Sequence, residues 1–300
     1  MGAVVVWIGA ELGVSLEELT ISIMKRFVDK MRSETHELQQ VQAIPVRRLR
    51  SYVGGLTWMM GVIPWLRAWV APMWAALAVA AQWRGPPEKA TVANRQIRHS
   101  LIWVAAFLSG QKGSIVRTIP IAPVIPEDMA QIICDASPWG VGAVLCVNGV
   151  PVERLDDVIT DDDHRIMGTV GGMPDYQASF EALAILVAAR TWLPLWQDRP
   201  TSLYMQSDSL AALGAAAKVG SSVPSLNTVM RELSLDLAEG MYEMQWFGHI
   251  PGTLNVWADA LSRLRDPNSP KSVPEALANI PKATTAVRTS SWWRASGSPS

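Results

Sequence analysis

His249-Ile-Pro-Gly-Thr-Leu-Asn-Val-Trp-Ala-Asp-Ala-Leu-Ser-Arg-Leu264 brings a histidine, a Pro-Gly turn, an Asn and an Asp into one short stretch. Asn255 is suited to cap a helix that runs on through Leu264, with Trp257, Leu261 and Leu264 forming one apolar stripe. Asp259 falls near the start of that helix, where an acid meets the positive end of the helix dipole. That reading makes Asp259 an ordinary helix-start acid. It leaves unexplained why a titratable imidazole, His249, stands in the preceding loop.

Working upstream, Tyr242–Phe247 reads as a strand, and a helix is expected from about Leu226 to Gly240. Thr201–Ser207 is another strand, and Asp208 stands where it becomes the helix Ser209–Lys218. An Asp there is a good N-cap. The carboxyl end of a strand in an α/β sheet is also where sites gather. The helix Gln177–Ala189 is apolar nearly all round, so it should be buried, and Glu181 is its one acid. A buried carboxylate without a partner costs roughly several kcal/mol or stays protonated, so Glu181 needs a cation, a donor or an exit to solvent. Gln131–Asp135 is a strand ending in an acid, Ala136–Gly140 turns the chain, and Val141–Val147 returns. Asn148-Gly149 is a hairpin signal into a third strand, Val150–Leu155. Residues 156–175, rich in Asp and Gly, read as a solvated loop without the ligand spacing of a calcium site. The order is three strands, helix, strand, two helices, strand, helix. That order implies an α/β domain, a mixed five-stranded sheet with flanking helices.

Four motifs in this order carry a family resemblance: Cys-Asp135-Ala-Ser with Gly140-Val-Gly142, Phe-Glu181-Ala-Leu, Ser-Asp208-Ser, and His249-Ile-Pro-Gly followed by Ala-Asp259-Ala-Leu-Ser-Arg. Residues 130–265 resemble the RNase H domain of long-terminal-repeat retrotransposon reverse transcriptases. The resemblance implies an RNase H-like fold over residues 129–266, with Asp135, Glu181, Asp208 and Asp259 as catalytic metal ligands. It implies two Mg²⁺ ions, replaceable by Mn²⁺, and cleavage of the RNA strand of an RNA–DNA hybrid, with His249 assisting proton movement or product release. Carboxylate ligands suit such hard cations and not zinc. The chain departs from the family in the length of the 156–175 loop. It also lacks a basic, Trp-rich protrusion between residues 218 and 226, which leaves the N-terminal half to hold the hybrid.

In that half, Val4–Gly9 reads as a short strand, and Ser15-Leu-Glu-Glu18 reads as a capping box opening a helix to about His36. Pro45 starts a helix to about Met60, a third begins near Pro64 and is interrupted by Pro72, and a fourth covers Val92 to Leu108. Residues 1–110 are thus expected to be mostly helical, and the Gly- and Pro-rich residues 111–128 to be a linker. Ser51–Trp83 carries one charge, Arg67, which splits it into runs too short to span a bilayer, so no membrane partner is expected. Trp58, Trp65, Trp69 and Trp74 fall at helical spacing and read as core. Arg47, Arg48 and Arg50 are the candidate nucleic-acid contacts. Pro45-Val-Arg-Arg-Leu-Arg-Ser-Tyr-Val-Gly-Gly-Leu-Thr-Trp58 is similar to the thumb and connection region of retroelement reverse transcriptases. The Tyr-x-Asp-Asp-like polymerase turn of that family does not occur, so no polymerase activity is expected, and the missing fingers and palm become a candidate partner.

Residues 1–128 carry 14 Lys and Arg against 9 Asp and Glu, residues 129–266 carry 8 against 17, and residues 267–300 carry 4 against 1. A basic piece joined to an acidic piece suits a nucleic-acid enzyme with a carboxylate cluster. Two cysteines, Cys134 and Cys146, are too few for a disulfide framework, and the N-terminus has no basic segment ahead of an apolar core. An intracellular protein of cytoplasm or nucleus is expected. Residues 267–300 read as a disordered tail, in which Trp292 and Trp293 have no explanation. The alternative function is a catalytically inactive retroelement-derived fragment, structural or binding nucleic acid or a partner without cleaving.

Overall fold

Glu18-Leu-Thr-Ile-Ser-Ile23 alternates polar and apolar residues with β-branched side chains, and a period of two outweighs the four-residue spacing of Leu19, Ile23, Phe27 and Met31. In the computed structural model, which describes residues 3–7, 9–16, 18–121, 130–195 and 202–299, this segment is a strand. Three strands open the chain, β1 (Ala3–Trp7), β2 (Ala10–Val14) and β3 (Glu18–Ile23). The expected helix from Ser15 therefore begins ten residues late, as α1 (Lys25–Gln40). Ser15 and Glu18 do hydrogen-bond as a capping pair would, with the Glu18 amide donating to Ser15 Oγ at 3.0 Å, but they close a hairpin instead.

The chain divides into two units, Met1–Pro123 with Ser298–Ser300, and Val124–Gly297. In the first, β4 (Ala43–Pro45), α2 (Val46–Met59), α3 (Arg67–Ala80), β5 (Thr91–Ala93) and α4 (Arg98–Leu108) follow α1. Helix α3 continues through Pro72 and is not interrupted by it. Trp69 is fully buried and stacks on Trp103 with ring centroids 4.8 Å apart, and Trp65 is buried as expected. Trp58 is half-buried with its ring edge-on to Phe27, whereas Trp74 is exposed and donates to Thr57 Oγ1. Within the expected linker, β6 (Val116–Pro120) pairs antiparallel with β3, so the first unit has a four-stranded sheet in the order β1-β2-β3-β6. The Pro-rich residues 122–128 lie outside the described residues. Among the described residues, no helix is long and apolar enough to cross a membrane.

The second unit has an RNase H-like fold. Strands β7 (Ala130–Ser137), β8 (Gly140–Val147) and β9 (Val150–Val158) form an antiparallel meander. Helices α5 (Asp161–Met167) and α6 (Gln177–Thr191) precede β10 (Ser202–Ser207), which lies parallel to β7. Helices α7 (Leu210–Lys218) and α8 (Pro224–Ala238) lead to β11 (Glu243–His249), parallel to β10, and α9 (Val256–Ser262) closes the domain. The sheet order is β11-β10-β7-β8-β9. Helix α6 is buried almost throughout, as its all-round apolar surface requires.

Two expectations fail here for one reason. Residues 156–175 are not a solvated loop. A capping box, Thr160 with Asp163, starts α5, and Asp156 and Asp163 are buried. Residues 267–297 are not a disordered tail, because they supply the counter-charges. All four cations of residues 267–300 pair with acids of the second unit: Lys271 with Asp259, Lys282 with Asp156, Arg288 with Asp157 and Asp163, and Arg294 with Asp236 and Glu239. Leu277 is fully buried in one cluster with Val144, Cys146 and Leu261. The Arg154 amide donates to Pro281 O at 2.9 Å and the Ala283 amide to Arg154 O at 2.8 Å, extending the sheet beyond β9. Trp293, without an account in the sequence, is fully buried and donates Nε1–H to Asp163 at 3.0 Å. The Arg190 guanidinium lies over the Trp292 ring, 4.4 Å from its centroid.

Candidate metal centre

The first acid stands on β7, three residues before the turn. Asp135 is buried, and Ser262 of α9 donates Oγ–H to its Oδ2 at 2.7 Å. That contact depends on α9 lying unusually close to the sheet. A Cβ at Gly142 would sit 2.4 Å from the Ala258 carbonyl oxygen and 2.5 Å from the Ser262 nitrogen, so β8 admits the helix only with glycine there. Ser137 Oγ–H donates to the Ser262 carbonyl at 2.8 Å, fixing the helix end to the same strand. Asn255 stands at the N-cap position of α9 but makes no cap bond. Its Nδ2 donates instead to the Cys134 carbonyl, tying the helix start to the residue before Asp135.

Glu181 reaches the end of β7 from α6. Its carboxylate accepts from Gln177 Nε2 at 2.7 Å and from the Ala136 amide at 3.2 Å, the donors that its burial requires. Gln177 also donates to the Ala136 carbonyl, so one side chain locks helix to strand. Asp208 follows β10 directly. It is not the cap of α7, for Ser209 takes that role, accepting from the Ala212 amide at 3.2 Å.

Asp135, Glu181 and Asp208 each offer a carboxylate oxygen such that the three lie within 4.8 Å of one another. None of the three is in an ion pair among the described residues. Burial pushes Asp135 up to about 7, against the Ser262 hydrogen bond, with Asp208 and Asp259 adding repulsion. Burial, then repulsion from Asp135, pushes Glu181 up to about 9. Three all-oxygen donors that repel one another, in no ion pair among the described residues and with the nearby Arg263 charge outweighed at Asp135, fit a hard divalent cation such as Mg²⁺ or Mn²⁺.

The fourth expected acid differs. Asp259 is near enough to raise Asp135, but its own oxygens are engaged. Oδ1 accepts from Arg263 Nε at 2.6 Å and Oδ2 from Lys271 Nζ. Partial burial alone raises its pKa, and these two cations outweigh that and hold it below the usual carboxylate range. His249 ends β11, in register with Ser207, and is exposed. The Pro-Gly turn after it packs on Asp208: a Cβ at Gly252 would sit 2.9 Å from Asp208 Oδ2. The three arginines lie in the first unit, where Arg47 and Arg50 are exposed and Arg48 pairs with Glu37.

No family model matches the sequence, and no curated protein does. Solved structures are similar to it. RNase H1 from Halobacterium salinarum is 17% identical with a TM-score of 0.36, over 47% of this chain and 99% of its own. An RNase H1 isolated from compost is 17% identical with a TM-score of 0.33, over 44% of this chain and 90% of its own. The foamy viral protease-reverse transcriptase, in complex with RNA/DNA hybrid, is 13% identical with a TM-score of 0.30, over 91% of this chain and 31% of its own. Strand order and helix placement, rather than these likenesses, carry the fold.

Proposed function

We propose that the chain hydrolyses the RNA strand of RNA–DNA hybrids with divalent cations, as the RNase H part of a retroelement reverse transcriptase. The observation that carries the reading is the meeting of Asp135, Glu181 and Asp208 at one end of an RNase H-like sheet, from three separate elements. Bound there, Mg²⁺ or Mn²⁺ would neutralise the cluster, activate a water and stabilise the leaving oxygen of an in-line displacement. Asp135, Glu181 and Asp208 hold and orient the cation. Ser262, Gln177 and the Ala136 amide fix their carboxylates, and Gly142 sets the depth of α9. His249, exposed beside Asp208's turn, serves proton movement or product release.

Residues 1–110 form the thumb/connection-like part in this reading. Arg47, Arg48 and Arg50 contact the hybrid backbone, and the fingers and palm of a reverse transcriptase are the partner. The engagement of Asp259 by Arg263 and Lys271 favours the second reading, binding without cleavage. A labelled RNA–DNA hybrid incubated with the full chain and Mg²⁺ or Mn²⁺ separates them. Cleavage of the RNA strand that chelator abolishes supports the enzyme, and retention of uncut hybrid supports the binder.

A further inference from the structure

Lys271 lies outside the motifs that carry the resemblance, twelve residues beyond Asp259, yet its ammonium rests on that carboxylate. It is held there from both sides. The chain turns back at Asp266, whose Oδ1 accepts from the Asn268 amide at 2.9 Å and the Ser269 amide at 3.2 Å. The Lys271 amide then donates to the Arg263 carbonyl at 3.1 Å, returning the segment to the end of α9. On the other side, Val273 and Leu277 pack into the cluster that holds Leu261 of the same helix. A flexible surface lysine pays side-chain entropy to keep one geometry. Here the backbone on both sides of the lysine is already fixed.

We infer that Lys271 is a built-in competitor for the second divalent cation: its ammonium occupies Asp259, and a second cation binds only by displacing it. The inference rests on the metal-dependent reading of the site. Asp135, Glu181 and Asp208 are open to a first cation, since none is in an ion pair among the described residues. The further carboxylate close enough to repel Asp135 is Asp259, which a second cation would share, and it carries two protein cations already. An ammonium and a divalent ion on one carboxylate repel, so the state with Lys271 in place is not competent for the second ion, and its apparent affinity falls by the competent fraction. The other three cations of residues 267–300 neutralise acids away from this cluster, so Lys271 alone links the C-terminal segment to the metal centre.

The test is calorimetric titration of the full chain with Mn²⁺ for the wild type, Lys271→Ala and Lys271→Arg, with thermal melting to show that each is folded. Lys271 is partly exposed, so its removal leaves the core intact. The expected result is a tighter and a weaker cation in the wild type. In Lys271→Ala the first is unchanged and the second is tightened about two- to fivefold, the scale of losing one partly exposed ion pair. Lys271→Arg keeps the charge and the wild-type pattern. A second affinity that is unchanged or weakened in Lys271→Ala overturns the role of Lys271 and leaves the metal-dependent reading standing. No Mn²⁺ binding by any of the three overturns both.

Discussion

Asp208→Asn separates a metal ligand from a structural acid, and the structure sharpens the test. Ser209, not Asp208, caps α7, so the substitution leaves the cap untouched. Cleavage of a labelled hybrid should fall by more than the roughly 10–100-fold that an outer-shell partner of a metal site costs, while the melting temperature is kept. Ser209→Ala should do the reverse, losing about 1 kcal/mol of stability with cleavage per folded molecule unchanged. Retained cleavage in Asp208→Asn would remove it from the site. The titration of the cluster gives a second test. Asp135 and Glu181 are raised to about 7 and about 9, so the folded chain binds more protons than the unfolded one between the ordinary carboxylate range and pH 9. Their contribution to stability is complete below about pH 4 and is lost as pH rises through 7 and then 9. In chelator, melting temperature should therefore fall across that window, and Mg²⁺ should restore more at pH 8 than at pH 5. A flat profile in chelator would mean that the carboxylates are not crowded. Asp135, Glu181 and Asp208 were legible in the sequence because each sits in a local motif: Asp135 within β7, Glu181 as the one acid of α6, and Asp208 directly after β10. Ser262, Asn255, Gln177 and Lys271 were not. Ser262 meets Asp135 across 127 residues and Asn255 meets Cys134 across 121, pairings that only the fold creates.

At the scale of elements, the strands and helices of the second unit followed from alternation, turn residues and apolar runs, and the same reasoning failed at the two charged segments. An Asp-rich loop and a Ser- and Pro-rich end each look solvated when read separately. Their mutual neutralisation makes both ordered, with Asp163 buried against Arg288 and Trp293. In the first unit the failure was one of period, where Leu19 and Ile23 fit a helix and Leu19, Ile21 and Ile23 fit a strand. The C-terminal segment is thus a structural part of the RNase H-like unit. Trp293→Ala removes a fully buried indole and leaves Asp163 short of a donor, so it should cost about 3–5 kcal/mol. Urea unfolding followed by tryptophan fluorescence and circular dichroism measures it. A loss under about 1 kcal/mol would return the segment to the status of a loosely attached tail.

Over the whole molecule, the charge divides with the units. Residues 1–123 carry 14 Lys and Arg against 7 Asp and Glu, and residues 124–297 carry 12 against 20. The second unit stays acidic even after its C-terminal cations are counted, so its net field repels a phosphate backbone. In the proposed reading, cations at the carboxylate cluster would offset that locally, and the attraction for a hybrid would come from the basic unit. Arg47, Arg48 and Arg50 lie within one turn of α2, with Arg48 on Glu37 in a pair exposed enough to contribute about 0–1 kcal/mol, which a phosphate can displace. Each phosphate contact contributes about −0.9 to the slope of log affinity against log salt on duplex DNA. Replacing all three arginines by Ala should therefore weaken hybrid binding most at low salt and flatten the slope by about 2–3. Because none of the three belongs to the carboxylate cluster, the cleavage rate at saturating hybrid should be unchanged while the concentration needed for saturation rises. That pattern is the reverse of Asp208→Asn, which lowers the rate without altering the salt slope. An unchanged slope in the triple variant would assign the three charges to solvation of α2 and leave the basic partner of the hybrid to be found elsewhere on the first unit.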